Sequence, residues 1–456
     1  MSDEPLSLRT YLEQLRQLPP TEFVRVEKEI SPVHEACALM DALEKQNRRP
    51  AFLFANVRGS ALPVVSNIFA SRRRMALALG VAENQFSATL FAREAQRIPP
   101  EIVDPSAAPV KQVIWRDDEI DLRRFPAFTH HADDAGAYIT GGLMAIRDPE
   151  TGVRNVGVYR HWISSARTLG IHLSESSHAN LIYAKYCARR QAMPVAITIG
   201  YHPAFYLGVL SFVGLEVDEV EVAGALMQRP VPLVPCETVD LQVPAHAEIV
   251  LEGFIAPDER AAEGPIGEYS GTYGYQDAAP VIRIHTITMR RDPIWLDIFA
   301  GHPDHQLLGG TPRLASTYRA VRVACPLVRE IYMPTAGVGR YICYIAIKKR
   351  FEGEAKNVAC AAFGADPFIK YVVVVDEDVN IFDDSEVLQA IALRSRADSF
   401  FMIERAKGHS TDPVALDEYL THKIGIDATR PLKGYPKEIA VPGAETINVK
   451  DYLPEF

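Results

Sequence analysis

The chain lacks the usual marks of a secreted, membrane-spanning or nucleic-acid-binding protein. Its six cysteines, Cys37, Cys187, Cys236, Cys325, Cys343 and Cys360, are scattered without a CxxC pair, so neither a disulfide framework nor a thiolate zinc site is written in them. Most lie in apolar runs such as Tyr341-Ile-Cys-Tyr-Ile-Ala-Ile347, where a small buried thiol in a reducing compartment is expected. No segment approaches the roughly eighteen uncharged apolar residues that a membrane helix requires. Met1-Ser-Asp-Glu-Pro5 is acidic, with no basic start and no apolar stretch behind it, so no signal peptide is expected. A cytoplasmic protein with no membrane partner is the expectation. Positive charge is also in deficit: 48 Lys and Arg against 58 Asp and Glu leave a formal charge of −10. Nucleic-acid binding needs a clustered basic surface. The only basic triplets, Arg72-Arg73-Arg74 and Lys348-Lys349-Arg350, read as solvated faces, and no nucleic-acid partner is expected. There is no GxGxxG after a strand-like run and no Walker loop, no internal repeat and no low-complexity tract.

What is present is an ordinary globular composition, 48% hydrophobic and 23% charged over 456 residues, long enough for two or three domains. Residues 1–109 alternate helical patterns with short apolar runs (Ala51-Phe-Leu-Phe54, Leu62-Pro-Val-Val-Ser66) and end in a passage containing Pro99, Pro100, Pro105 and Pro109. They read as a small α/β domain followed by a linker. Residues 110–305 are dominated by strand-like runs around Pro194–Gly200, Glu248–Ile255 and Val281–Thr288, interrupted by a helical stretch from about Ser174 to Arg190. That pattern predicts an antiparallel sheet or barrel. Residues 306–325 read as a connecting helix. Residues 326–456 form a C-terminal α/β domain, in which the β-branched run Tyr371-Val-Val-Val-Val375 between helices predicts a parallel strand buried on both faces. A Pro- and Gly-rich tail that wraps over a neighbouring surface closes the chain.

Two short stretches carry the chemistry. Asn155-Val-Gly-Val-Tyr-Arg160 follows the turn Pro149-Glu-Thr-Gly152. In Glu263-Gly-Pro-Ile-Gly-Glu268 two carboxylates bracket a Gly-Pro-x-Gly loop that continues neither a helix nor a central strand. Such a loop can place two carboxylates in different environments, as acid/base catalysis requires; by itself it also reads as a plain surface turn.

Taken together, the two stretches resemble the UbiD-like family, which carries an Asn-x-x-x-x-Arg segment and, further along, Glu-Gly-Pro-x-Gly-Glu/Asp. The likeness extends through Phe125-Pro-Ala-Phe128, Gly136-Ala-Tyr-Ile-Thr140, Pro244-Ala-His-Ala-Glu-Ile-Val-Leu-Glu-Gly253, Val375-Asp-Glu-Asp-Val379 and Lys423-Ile-Gly-Ile-Asp-Ala-Thr429. It implies an α/β (α+β) chain: an N-terminal α/β layer, a central FMN-binding split β-barrel and a C-terminal α/β domain joined by a connecting helix. It implies a reversible decarboxylase of an α,β-unsaturated, aromatic or heteroaromatic carboxylic acid. The cofactor would be prenylated FMN, supplied by a separate flavin prenyltransferase. Relatives assemble through the C-terminal domain, which implies a homo-oligomer, dimer or hexamer.

The resemblance also assigns roles. Arg160 would meet the substrate carboxylate with its planar fork, Glu263 would hold Arg160, and Glu268 would be the proton donor, with a pKa raised by burial. Mn2+ (or Mg2+) would join the flavin phosphate to Asn155, Glu219 and a histidine, with K+ beside it. Val158, Tyr159, Arg160 and Ser177 would complete the cofactor site. His178 is taken as the ligand, with His172 as its rival; Glu221 is the rival of Glu219 and points elsewhere if that piece is extended. His178 also reads as a plain helix start capped by Ser176 or Ser177. The K+ ligands would be backbone carbonyls of Val156 and the Gly208–Ser211 turn, with Glu219. Near Gly301-His-Pro-Asp-His-Gln306, the side chains of His302, His305 and Arg313 would reach a polar ring substituent or a second carboxylate, or would cap the following helix. A flavin reductase of similar barrel, or a subunit without catalysis, would not need Arg160, Glu263 and Glu268 together.

Overall fold

The computed structural model describes residues 5–453 apart from 176, 438, 440, 444 and 445. Among them no helix is long and apolar enough to cross a membrane. The first helix, Leu8–Arg16, starts at a Ser7 capping box and buries Leu8, Tyr11, Leu12 and Leu15, one apolar face at helical spacing. Behind it lies a four-stranded sheet of Phe23–Val26, Ala51–Phe54, Val64–Ser66 and, from much later in the chain, Trp295–Leu296.

The centre is a curled, largely antiparallel half-barrel. Its path runs Tyr138–Ile139, His161–Ile163, Thr168–Ile171, Tyr273–Met289, Ile249–Gly267, Met193–Ile199, Gly142–Arg147, Arg154–Val158, with Val113–Arg116 paired to Tyr273–Met289. Two strands expected to be short are the halves of one long hairpin, and the Glu263–Glu268 motif, expected as a loop, lies mostly within it. The pairing shifts register near Ala261, Glu263 and Ile266, and such bulges let Gly and Pro sit in a strand while its side chains are re-aimed.

The C-terminal domain has the strand order Val328–Tyr332, Ile342–Ile347, Tyr371–Asp376, Leu420–Ala428, Phe400–Lys407. Val372 and Val374 pack with Ala355, Val358 and Ala359 of the Glu354–Ala365 helix. Val373 and Val375 pack with Val387 and Ala390 of the Asp384–Arg394 helix. An uninterrupted valine run is therefore the sequence of a strand covered on both sides. The connecting segment is two helices, Pro303–Gly310 and Arg313–Ala324. Pro312 has no N–H to continue the first ladder, so the chain breaks there and restarts.

Arg72-Arg73-Arg74 is not a solvated face. Arg74 is 1% exposed and donates to Glu22 at 2.8 Å and to the carbonyl of Asn67 at 3.0 Å. Arg72 lies against Phe86 and Phe382. The triplet opens a helix that packs under the N-terminal layer, so two of its three side chains point into protein. The tail meets the C-terminal domain where the Leu432 N–H donates to Glu352 at 2.7 Å.

Candidate active site

Arg160 leaves the Arg154–Val158 strand and reaches across to the long hairpin. Its Nε donates to Glu263 Oε1 at 3.1 Å and its Nη2 to Glu263 Oε2 at 2.5 Å, while Nη1 donates to Glu268 Oε1. Glu263 is fully buried opposite Gln276 on the returning strand, and Glu268 sits at the turn, where its N–H donates to the Thr272 carbonyl. Burial works against the charge on Arg160, but Glu268 and Glu263 outweigh it and raise its pKa above the usual value. The guanidinium is thus a fixed cation gripped on one edge, with its other edge on a second carboxylate.

Two helix starts converge on Asn155 at the other end of the same strand. His178 opens the His178–Ala188 helix, capped by Ser177 Oγ, which accepts from the Asn180 N–H; Ser176 lies outside the described residues. Glu219 opens the Glu219–Met227 helix behind its N-cap Asp218. Asn155 Nδ2 donates to Glu219 Oε1 at 2.6 Å, the Val156 N–H donates to Oε2 at 3.1 Å, and His178 Nδ1 stands 3.7 Å from Oε1. Burial raises the Glu219 pKa against these hydrogen bonds.

The piece at Glu219 is a helix capped by Asp218 and not an extended strand, so the condition on which Glu221 would point elsewhere is not met. Two residues along a helix still turn a side chain away, and Glu221 lines a different crevice with Arg154 and Asp218. His172, the rival imidazole, is held at the Arg160 end, with Nδ1 3.0 Å from Gln276 Oε1; it is His178 that stands beside Glu219.

The two ends share one cavity of about 420 Å³, also walled by Val158, Tyr159 and Ser177. A second chamber of about 570 Å³ opens beyond Arg160 and Glu268 toward the hairpin turn. Of the expected substrate residues, His305 and Arg313 line the first cavity. His302 does not: its ring stacks on Phe299 with centroids 4.7 Å apart, because as the residue before the helix it points back into the N-terminal side. Asp304 anchors that helix by accepting the N–H groups of Asn67 and Phe69 at 3.1 and 2.7 Å. Arg313 is committed to Asp366, at 2.9 Å, and stacks on Phe368.

Arg340 went unpredicted. It lines the cavity, stacks 3.7 Å above the Tyr269 ring and is buried, with no acceptor for Nε or Nη1 among the described residues. A lone arginine in the turn Gly337-Val-Gly-Arg340 carries no periodic or motif signal that would have marked it. Tyr269, Phe368 and His409 were likewise missed, since they meet only when the C-terminal domain closes this wall.

Burial lowers the pKa of His305 to about 3 and of His409 to about 4, so both present neutral rings to the cavity. His161, His202 and His302 are lowered to about 4, 3 and 3. Below pH about 6.5 the unfolded chain binds protons at these rings that the folded chain refuses. Their contribution to stability is full above that pH and is lost as pH falls toward 4. The urea midpoint is therefore expected to decline from about pH 6.5, above the carboxylate range; a midpoint flat down to pH 5 would contradict these neutral buried rings.

The chain matches all three domains of one family. These are the 3-octaprenyl-4-hydroxybenzoate carboxy-lyase N-terminal domain over residues 19–94, the Rift-related domain over 101–303 and the C-terminal domain over 306–428. Among solved structures it is similar to the UbiD-class enzyme HmfF from Pelotomaculum thermopropionicum in complex with FMN. The TM-score is 0.92 at 40% identity, covering 98% of this chain and 100% of that one. An evolved dimeric form of HmfF in complex with prFMN gives 0.90 at 38% identity over 98% and 100%. Anhydromevalonate phosphate decarboxylase of Methanothermobacter thermautotrophicus is 33% identical over 431 residues, 94% of this chain and 98% of that protein.

Proposed function

The chain belongs to the UbiD family of carboxy-lyases, and from that premise we propose that Arg160, Glu263 and Glu268 decarboxylate an unsaturated, aromatic or heteroaromatic acid reversibly. The observation that carries this is the grip on Arg160: Glu263 holds Nε and Nη2, leaving the Nη1 edge and Glu268 on the cavity wall. Arg160 orients the substrate carboxylate. Glu263 keeps the fork in plane, since two of its three nitrogens are already spoken for. When the substrate carboxylate takes its place on Nη1, Glu268 takes up a proton from water and delivers it from its carboxyl oxygen to the carbon that loses CO2, becoming a carboxylate again. Prenylated FMN, when bound, supplies the electron sink for that loss.

The residues present suit such a cofactor. Asn155 Oδ1 is buried without a partner among the described residues, next to a carboxylate and an imidazole, and this mixed oxygen and nitrogen set suits Mn2+ or Mg2+. Two helix N-termini facing one point favour a phosphate. Val156, Leu210 and Ser211 line the same wall, where backbone carbonyls would hold K+. Glu219→Ala is expected to purify without flavin, since the phosphate loses the anion that holds its counter-ion. Retention of full flavin and divalent metal would sink this assignment.

Arg340 narrows the substrate. A buried cation with no ion-pair partner among the described residues costs several kcal/mol, and Arg340 lines the cavity beside neutral His305. The acid therefore carries a second anionic group. Loaded with flavin, the protein should turn over aromatic dicarboxylic acids. Arg340→Met should raise KM for the diacid about tenfold or more, the scale of a lost charged hydrogen bond, and leave a matched monoacid unchanged. An equal effect on both would remove Arg340 from recognition; no turnover of any acid would remove the function.

The cofactor would come from a separate flavin prenyltransferase. Six free cysteines fit a reducing, cytoplasmic setting. A dimer or hexamer is supported by Phe400 and Met402, 42% and 54% exposed on the edge strand of the C-terminal sheet, where bare apolar edges call for a partner.

A further inference from the structure

The returning strand of the long hairpin alternates as strands do. Tyr273 and Tyr275 are exposed, while Gln276 points inward to hold His172. Gly274 occupies the other inward position, opposite Ile266. Its backbone is not in the left-handed region, so any residue could adopt it, and glycine inside a strand is less stable than alanine. Space supplies the reason. A Cβ at Gly274 would stand 2.6 Å from Arg160 Nη1, 3.0 Å from Glu268 Cγ and 3.1 Å from Glu268 Oε1. Nη1 of Arg160 is the nearest of these and would have to yield first, although Nε and Nη2 are held by buried Glu263. Glu268, bound to Nη1 at the turn, would be displaced from it.

We propose that Gly274 is a positioning residue for Glu268: the absent side chain is what lets the proton donor close onto Arg160 while Arg160 stays locked on Glu263. This rests on the decarboxylase reading above. Gly274→Ala should still fold and bind flavin, because glycine is required here by space and not by its backbone conformation. The kcat should nevertheless fall at least thirtyfold, since a displacement of about 1 Å costs on the order of a hundredfold.

If the methyl acts through Glu268, adding it to Glu268→Gln should cost less than threefold more. A crystal structure of Gly274→Ala should show Glu268 off Nη1. A wild-type kcat, an undiminished penalty in the Glu268→Gln background, or an intact Arg160–Glu268 contact would each overturn the proposal. Should the wild type decarboxylate no acid, the function fails, and the crystal structure still decides whether Gly274 sets the position of Glu268.

Discussion

Glu268→Gln is expected to lower kcat by about a hundred- to ten-thousand-fold, the usual contribution of a positioned general acid, with flavin and divalent metal still bound. The carboxamide keeps the shape of the side chain, and its oxygen still accepts from Arg160 Nη1, so KM and the melting temperature should stay near wild type. What it lacks is a proton to give. Protonation is separable from CO2 loss, so incubating the decarboxylated product with enzyme in D2O should exchange deuterium into it only when Glu268 is present. Near-normal exchange by Glu268→Gln would take the proton-donor role away from Glu268 and leave Glu263 or a bound water as the candidate.

Glu263→Gln should fail differently. Glu263 accepts from Nε and Nη2 at 3.1 and 2.5 Å in a fully buried position. An amide offers one oxygen and turns an NH2 toward a guanidinium that has only donors. Arg160 then loses its alignment, and kcat/KM should drop on the order of a hundredfold through a raised KM as well as a lower kcat. Breaking a buried ion pair costs about 3–5 kcal/mol, an upper figure here because Glu268 still holds Nη1. A lower melting temperature should therefore accompany the kinetic loss. The contrast is the test: unchanged stability and KM in Glu263→Gln would mean that Arg160 is not held by this carboxylate.

Both predictions concern residues that the sequence already displayed. Asn155, Arg160, Glu263 and Glu268 stand in two short motifs, and the roles expected of them came from the resemblance those motifs carry; two carboxylates flanking a Gly-Pro break would by themselves also read as a surface turn. The valine run 372–375 likewise announced a strand covered on both faces, because burial on both sides leaves no place for a polar residue. Element boundaries were less legible. The Glu263 loop proved to be a bulged hairpin, since register shifts are set by the partner strand and leave no local mark. The connecting helix broke where Pro312 required it.

What the sequence by itself determined is what neighbours along the chain decide: capping by Ser7 and Ser177, alternation in strands, and the paired motifs of the site. Only the tertiary structure decided that His178 and not His172 stands beside Glu219, that Arg74 is buried, that His302 faces away, and that Arg340 and Gly274 belong to the site at all. The physical reason is the same in each case. These are contacts between segments far apart in the chain, such as Arg160 with Gly274 or Tyr269 with Arg340. Periodicity and propensity describe a residue's own element, whereas the space and charge that meet a side chain across an interface are fixed only when the distant segment arrives.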